Sequence, residues 1–330
     1  AIEKLVVQLA ETNWEFARRI ASRFNLPLIS DLTADKASVF LGVKDGGNKV
    51  TLETSRSEQY FAAASFGRIT KSDWAGDGAA TQEDFTGLKV ESYTYAYLGD
   101  KLKVNGTSYF VRKVMTRIVG GLLVMNYDLA TKEAGFVAPL VNNDSLSGRI
   151  LTGQVKKVDK DLVQVHFVDV DKSYDSSGTA WFPFATAYSS RDGSGWYVMP
   201  EENDYVYVFF PSGKEEEAFV SGAVNMMPLK DAKQKSFKAP GGKEILLTDK
   251  GVEIICDHQK IFVKLDKDKG ISLVSAKNIA VNADGDISLD AKGKIQLLAK
   301  SGIDLQAGSS HLKVMTNQVS VGGNEIKLGD

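Results

Sequence analysis

Isoleucine recurs at every eighth position over the last quarter of the chain, at Ile271, Ile279, Ile287, Ile295 and Ile303. Each is followed two residues on by a second aliphatic: Leu273, Val281, Leu289, Leu297 and Leu305. An I-x-L alternation is a short strand with one apolar face. Gly270, Asn278, Asp286, Lys294 and Gly302 precede the isoleucines, and glycine or asparagine there supplies the positive φ of a tight corner. Looser pairs extend the pattern: Val252 with Ile254, Ile261 with Val263, Leu312 with Val314, Val319 with Val321, and Ile326 with Leu328. Eight residues are too few for one chain to complete a turn of an ordinary parallel β-helix, which needs three strands and their corners. The spacing therefore predicts three chains, each supplying one side of every turn. Fully burying each aliphatic on the common axis contributes roughly 1.5 to 3 kcal/mol, which a monomer would forgo. A single-chain β-solenoid with several octads per turn is the competing reading.

Before this quarter the pattern is that of mixed strands and one helix. GRILTGQVKKV and DLVQVHFVDV (148–158 and 161–170) alternate as a hairpin across Asp159-Lys160. TAWFPFATAY, GWYVMP, DYVYVFF and AFVSGAVN follow, giving about five strands in residues 145–228, which suits a small barrel such as an OB-fold. Further upstream, KVTLETSR, GLKVESYTYA and the long run from Lys101 to Thr131 alternate like antiparallel strands. The segment ETNWEFARRIASRFNLP (11–27) has Thr12 and Glu15 in capping-box spacing and places Trp14, Ala17, Ile20, Ala21 and Phe24 on one helical face. It stops before Pro27, so an amphipathic helix is predicted.

Composition sharpens the boundary. Of thirty-one aromatic residues only Phe262 lies beyond position 240, and all seven prolines lie at or before Pro240. Losing aromatics so abruptly implies a core of uniform, narrow cross-section. Forty basic against forty-two acidic residues leave a net charge of −2, which removes a whole-chain electrostatic case for nucleic acid or anionic membrane. The single cysteine, Cys256, excludes an internal disulfide framework and any multi-thiolate zinc site. No apolar run is long enough for a membrane span, and no leader pattern precedes a cleavage site, so neither span nor signal peptide is expected.

Three sets of residues together resemble the VgrG and myophage central-spike family. The run KEILLTDKGVEI from Lys243, followed by octads such as NIAVNADGDISLDAKGKIQLLAKSGIDLQAGS, looks like the C-terminal needle of that family. The order Trp181, Gly195-Trp196-Tyr197, Pro200, an acidic turn at Glu201 to Asp204, Pro211, Gly213 and Val220-Ser221-Gly222 before Asn225 resembles its OB domain. Trp14, Phe16 and Ile20 lie in a helix similar to that of the family's hub, whose usual wording is close to E-T-D-W-x-F, with Asn13 in place of the acidic residue. The resemblance implies a mainly β homotrimer in four parts. These are a partial hub β-barrel domain with a helix (1–142), an OB-fold barrel (143–228), an extended linker (229–242) and an intertwined triple-stranded β-helix (243–330). It implies a hub and spike that docks on the inner tube or a tube-initiator protein among baseplate proteins, matches sixfold to threefold symmetry and pierces the target envelope. Assembly in the bacterial cytoplasm into a phage tail or phage-tail-like particle follows, with a PAAR-like tip protein as a further partner. Full hubs are longer, so only the later part of the hub is expected here.

Candidate chemistry is sparse, and no enzyme, cofactor or metal is expected. His166, His258 and His311 are isolated, without H-x-H or H-E-x-x-H spacing. The H-x-H pair that holds iron near the tip of some family members has no counterpart between His311 and Asp330. Asp284-Gly285-Asp286 lacks the alternation and terminal Glu of a calcium loop and reads as a corner. Cys256 has no neighbouring base. A glycosidase needs paired carboxylates, but the stretch from Met226 to Gly242 is too short for the lysozyme domain some phage spikes carry. Glu215 to Glu217 read as a solvated hairpin tip. Trp181, Tyr205 and Tyr207 read as packing the barrel and its trimer contacts rather than stacking on nucleic acid, because Lys156, Lys157 and Lys160 are too few for a basic stripe. The alternative to a mechanical spike is an enzymatic tail spike acting on surface polysaccharide. That reading calls for aromatic platforms on the needle, where Phe262 is the only aromatic.

Overall fold

The computed structural model describes residues 5–31, 34–42, 49–52, 56–69, 81–130, 138–175, 180–227, 231–257 and 260–325. His258, Ile326 and Leu328 lie outside the described residues. The protein is mainly β and divides into two compact units, Ala1–Pro228 and Leu229–Asp330.

The first unit opens with helix α1 (Asn13–Arg23), which starts where the capping box predicts. The Thr12 hydroxyl accepts the Glu15 amide at 3.2 Å, and the Glu15 carboxylate accepts the Thr12 amide at 2.8 Å. A two-stranded ribbon follows, β1 (Leu28–Ser30) against β2 (Val39–Leu41). Next come β3 (Lys49–Thr51), β4 (Arg56–Phe61), β5 (Thr86–Ser92), β6 (Lys101–Val104), β7 (Thr107–Val119) and β8 (Leu122–Ala130), which form one sheet in the order β3-β6-β7-β8-β5-β4. Gly120 and Gly121, at φ 58° and 80°, make the two-residue turn between β7 and β8. Val90, Leu102, Val111, Met125 and Leu129 are the core of this sheet. The buried Tyr127 hydroxyl accepts the Ala96 amide at 2.7 Å and donates to the Thr94 carbonyl at 2.8 Å, fixing the loop after β5.

Edge strand β4 is locked by Tyr60, which crosses the backbone of Gly87 and donates to Asp128. A Cβ at Gly87 would lie 2.3 Å from the tyrosine ring, so only glycine fits. Burial, and next to it the Asp128 carboxylate, push the Tyr60 phenol above its ordinary pKa.

The second sheet of this unit is a small barrel: β9 (Arg149–Asp159), β10 (Leu162–His166), β11 (Trp181–Pro183), β12 (Tyr205–Phe210) and β13 (Phe219–Ala223), ordered β11-β10-β9-β12-β13. The β9–β10 hairpin turns at Lys160, φ 54°, as the sequence predicts. A parallel bridge from Phe184 to Val220, with the Ala185 amide donating to the Val220 carbonyl at 2.8 Å, closes the first and last strands. Val155, Val163, Phe182, Val206, Val208 and Phe210 fill it. The expected strand GWYVMP is absent: Gly195 to Pro200 run as irregular chain, tied by one bridge from Ser189 to Gly195.

Two expectations from sequence fail here for one reason. Glu215 is 2% exposed, not solvated, while Glu216 and Glu217 are exposed. Its carboxylate takes Arg19 at 2.7 Å, Arg23 on the other oxygen, and the Val7 amide at 3.3 Å. Arg19 also binds Glu11 at 2.6 Å and the Val7 carbonyl at 2.9 Å. Helix α1 therefore turns a charged face inward: Arg19, Ala21, Ser22 and Arg23 are buried, whereas Trp14 is 41% exposed and Phe24 lies open. Phe16 and Ile20 are half-buried beside Leu5, Val7 and Phe167.

Removing one partner of a buried ion-pair network strands the others, typically at about 3 to 5 kcal/mol. Glu215→Ala should lower the urea midpoint of the full chain by that order, and Glu216→Ala should leave it in place, read by circular dichroism.

Candidate assembly surface

The second unit is built from local hairpins. Strands β14 (Lys235–Ala239), β15 (Lys243–Leu247), β16 (Gly251–Asp257), β17 (Ile261–Asp266) and β18 (Gly270–Ser275) pair in sequence order as an antiparallel meander. Three of the turns have a chemical cause. Gly241 and Gly242 take φ near 80°. The Thr248 hydroxyl accepts the Gly251 amide at 3.2 Å. Asp266 accepts the amides of Asp268 and Lys269 at 3.0 and 3.1 Å, and these bonds, the Asp268 amide first, hold its carboxyl below the usual range. At Gly251 the backbones of β16 and β17 approach so closely that a Cβ would sit 1.8 Å from the Leu265 carbonyl oxygen.

The stretch 229–242 is thus not a linker throughout, because Lys235–Ala239 is the first strand of the sheet. Its lysines hide an alternation in which Phe237 faces one way and Ser236 and Lys238 the other.

The register places two rows across all five strands. Phe237, Ile245, Ile254, Val263 and Leu273 stand opposite one another in turn, and beside them run Lys235, Leu247, Val252, Leu265 and Ile271. All but Lys235 are apolar. The face they form is open: Phe237, Ile245, Leu247, Ile254, Leu265 and Leu273 are exposed, and Ile271 is 76% exposed. The opposite face pairs Glu253 with Lys264 at 2.7 Å and gives a small packing of Ile255 and Phe262.

Residues 276–301 form no strand within the chain, although they hold three of the five octads. Ile279, Val281, Ile287, Leu289, Ile295 and Leu297 are all more than half exposed. The uniform run of strand and corner predicted from the spacing is therefore not what one chain folds into. Only the ends pair, the second end being β19 (Gly302–Ala307), β20 (Ser310–Met315) and β21 (Gln318–Gly322). There Ile303, Val314 and Val319 form one cross-strand row, and Leu305, Leu312 and Val321 the next. The physical reason is that an isolated octad offers neither a backbone partner nor a second apolar layer.

Other residues singled out from the sequence occupy different surroundings. Pro200 is buried and Gly222 and Tyr205 are half-buried, whereas Trp181, Trp196 and Tyr207 are exposed in the single chain. Gly195 is needed where it stands: at φ 153°, a Cβ would meet the Tyr188 carbonyl oxygen at 2.4 Å. Cys256 is exposed, and among the described residues no group of three His, Cys, Asp or Glu could hold a metal.

Residues 151–224 match the family described as the Type VI secretion system/phage-baseplate injector OB domain. The barrel belongs to that domain family, and on it stands the likeness of the chain to VgrG and central-spike proteins. No curated protein matches the chain. Among solved structures it is similar to the E. coli c3393 protein, a component of the type VI secretion system, at 14% identity and TM-score 0.43. That alignment covers 66% of this chain and 62% of the other. It is also similar to the Francisella PdpA-VgrG complex in its half-lidded form, at 9% identity and TM-score 0.42, covering 82% of this chain and 62% of the other. The chain thus spans about three fifths of these proteins.

Ile254 sits at the centre of the first apolar row. If copies of the chain meet through this face, Ile254→Asp should abolish their association in sedimentation velocity, while Ser236→Asp, on the opposite face, should leave it unchanged.

Proposed function

We propose that this chain is the spike component of a contractile injection machine, three copies of which close their second units around one axis. The observation that carries this reading is the pairing of an injector OB barrel with a following stretch, residues 276–301, whose octad aliphatics are exposed and which forms no strand with any of the described residues. An open sheet face of this size is a site of association, and 26 residues of extended chain with regular apolar alternation make no sense as a loop. Copies of the chain supply what is missing. The open rows of β14–β18 pack on those of two neighbours, and residues 276–301 pair with the corresponding residues of the other chains.

In this role the protein makes and breaks no covalent bond. The first unit docks on the inner tube and baseplate proteins, a tip protein caps the far end, and the closed needle transmits the work of sheath contraction to the target envelope. A rod needs stiffness, which continuous hydrogen bonding and an aliphatic axis provide, and a charged exterior that does not aggregate. Residues 243–330 carry twelve charges of each sign, mostly between the apolar positions.

Sedimentation should give about 108 kDa, three chains of 35.9 kDa. Replacing Ile287 and Leu289 with Asp should dissociate the trimer or lower its melting temperature, since an unpaired buried carboxylate costs several kcal/mol. An antibody to the chain should label the baseplate end of sheathed particles in electron micrographs. A stable monomer would sink the proposal, and release of sugar from capsule or peptidoglycan would replace it with an enzymatic tail spike.

A further inference from the structure

Trp196, expected with the barrel, stands exposed on it, and one small hairpin gathers it with Tyr188 and Tyr197. Between Tyr188 and Trp196 the chain doubles back. The Trp196 amide donates to the Tyr188 carbonyl at 2.9 Å, and the Ser190 amide to the Ser194 carbonyl at 2.8 Å. Asp192 closes the tip by accepting the amide and hydroxyl of Ser194 at 3.0 and 2.6 Å. The base is clamped as well, since the Thr186 hydroxyl donates to the Trp196 carbonyl at 2.6 Å. Tyr197 is held at its far end, its hydroxyl donating to the Lys160 carbonyl at 2.7 Å. The rings nevertheless face solvent: Tyr188 is 52%, Trp196 59% and Tyr197 72% exposed. A hairpin closed by these hydrogen bonds presents three large rings, each at least half exposed, with much of the ordering cost of a binding surface already met.

We propose that this hairpin is a binding platform for an uncharged glycan, with Trp196 and Tyr188 stacking on the C–H faces of pyranose rings and Ser190, Arg191 and Asp192 bonding their hydroxyls. The composition selects this class of ligand. From Tyr188 to Tyr197 there is no aliphatic side chain, whereas a protein-contact core, such as the open rows of β14–β18, is rich in them. Arg191 and Asp192 cancel, so there is no charge to neutralise the phosphates of a nucleic acid. The polar tip would have to be desolvated to enter a lipid interface. Alternating ring faces and hydroxyl-bonding groups match a sugar, which is itself apolar on its faces and polar at its rim. The site lies on the barrel and needs no chemistry on the needle, so it holds whether or not the assembled machine is as proposed above.

The experiment is a titration of the purified full-length chain with chitotetraose and, separately, maltotetraose, followed by tryptophan fluorescence and saturation-transfer NMR. Saturable millimolar binding of at least one is expected. Trp196→Ala should weaken it about tenfold or more, as loss of one stacking partner does, Trp196→Phe should restore part of it, and sedimentation and melting should match the unsubstituted protein. Absence of binding to both sugars, or equal binding by Trp196→Ala, overturns the proposal. So does tighter binding of oligothymidylate, which would make the platform a single-strand site. If Trp196→Ala instead changes the oligomeric state, the hairpin is a contact between copies and the proposal also fails. Neither result alters the mass expected of the unsubstituted assembly.

Discussion

The apolar face of the β14–β18 sheet is the constraint on which the second unit depends. A five-stranded sheet carries nine apolar side chains on one side in two aligned rows, and most of them stand exposed. Burying a half-exposed Leu or Ile gains on the order of 1 kcal/mol, so leaving the face wet forfeits as much as a small domain's whole stability. The octad stretch sharpens the same demand, because it lacks a backbone ladder as well as a covering layer. In the assembly proposed above, association is therefore part of how this unit folds.

The first unit solves a different problem with charge. Its N-terminal segment and α1 meet the barrel through Glu215, Arg19, Arg23 and Glu11, a neutral cluster with almost no solvent access. Such a cluster adds little net stability compared with an apolar contact, but tolerates only one arrangement, since any shift leaves an unpaired buried charge. It fixes the helix by position and leaves Trp14 and Phe24 outward.

What could be read from the sequence follows from what is local. The capping box, the β9–β10 hairpin, the barrel and the aliphatic periodicity rest on spacing between near neighbours, and each appears where expected, the periodicity as exposed side chains. Glu215 was misread because its partners lie 192 and 196 positions away and nothing nearby marks it. The strand at Phe237 was misread because three lysines surround a single aromatic. In the sequence Trp181 and Trp196 read as core because aromatics usually pack, and only the fold shows that Phe182 and Phe210 fill that place. The open face itself was half legible: the pairs Val252 with Ile254 and Ile261 with Val263 stood out, but their alignment into rows required the register.

The meander has a consequence in time. Every strand from β14 to β18 pairs with its immediate successor, so the contacts are short-range and loop closure is inexpensive. Residues 276–301 have no such local route. A newly made chain can complete this sheet alone and fast, with its apolar face exposed. In the assembly proposed above, residues 276–301 gain a partner only when further copies arrive, so closure would run like a zip, started at Lys235 and drawn toward the last octads.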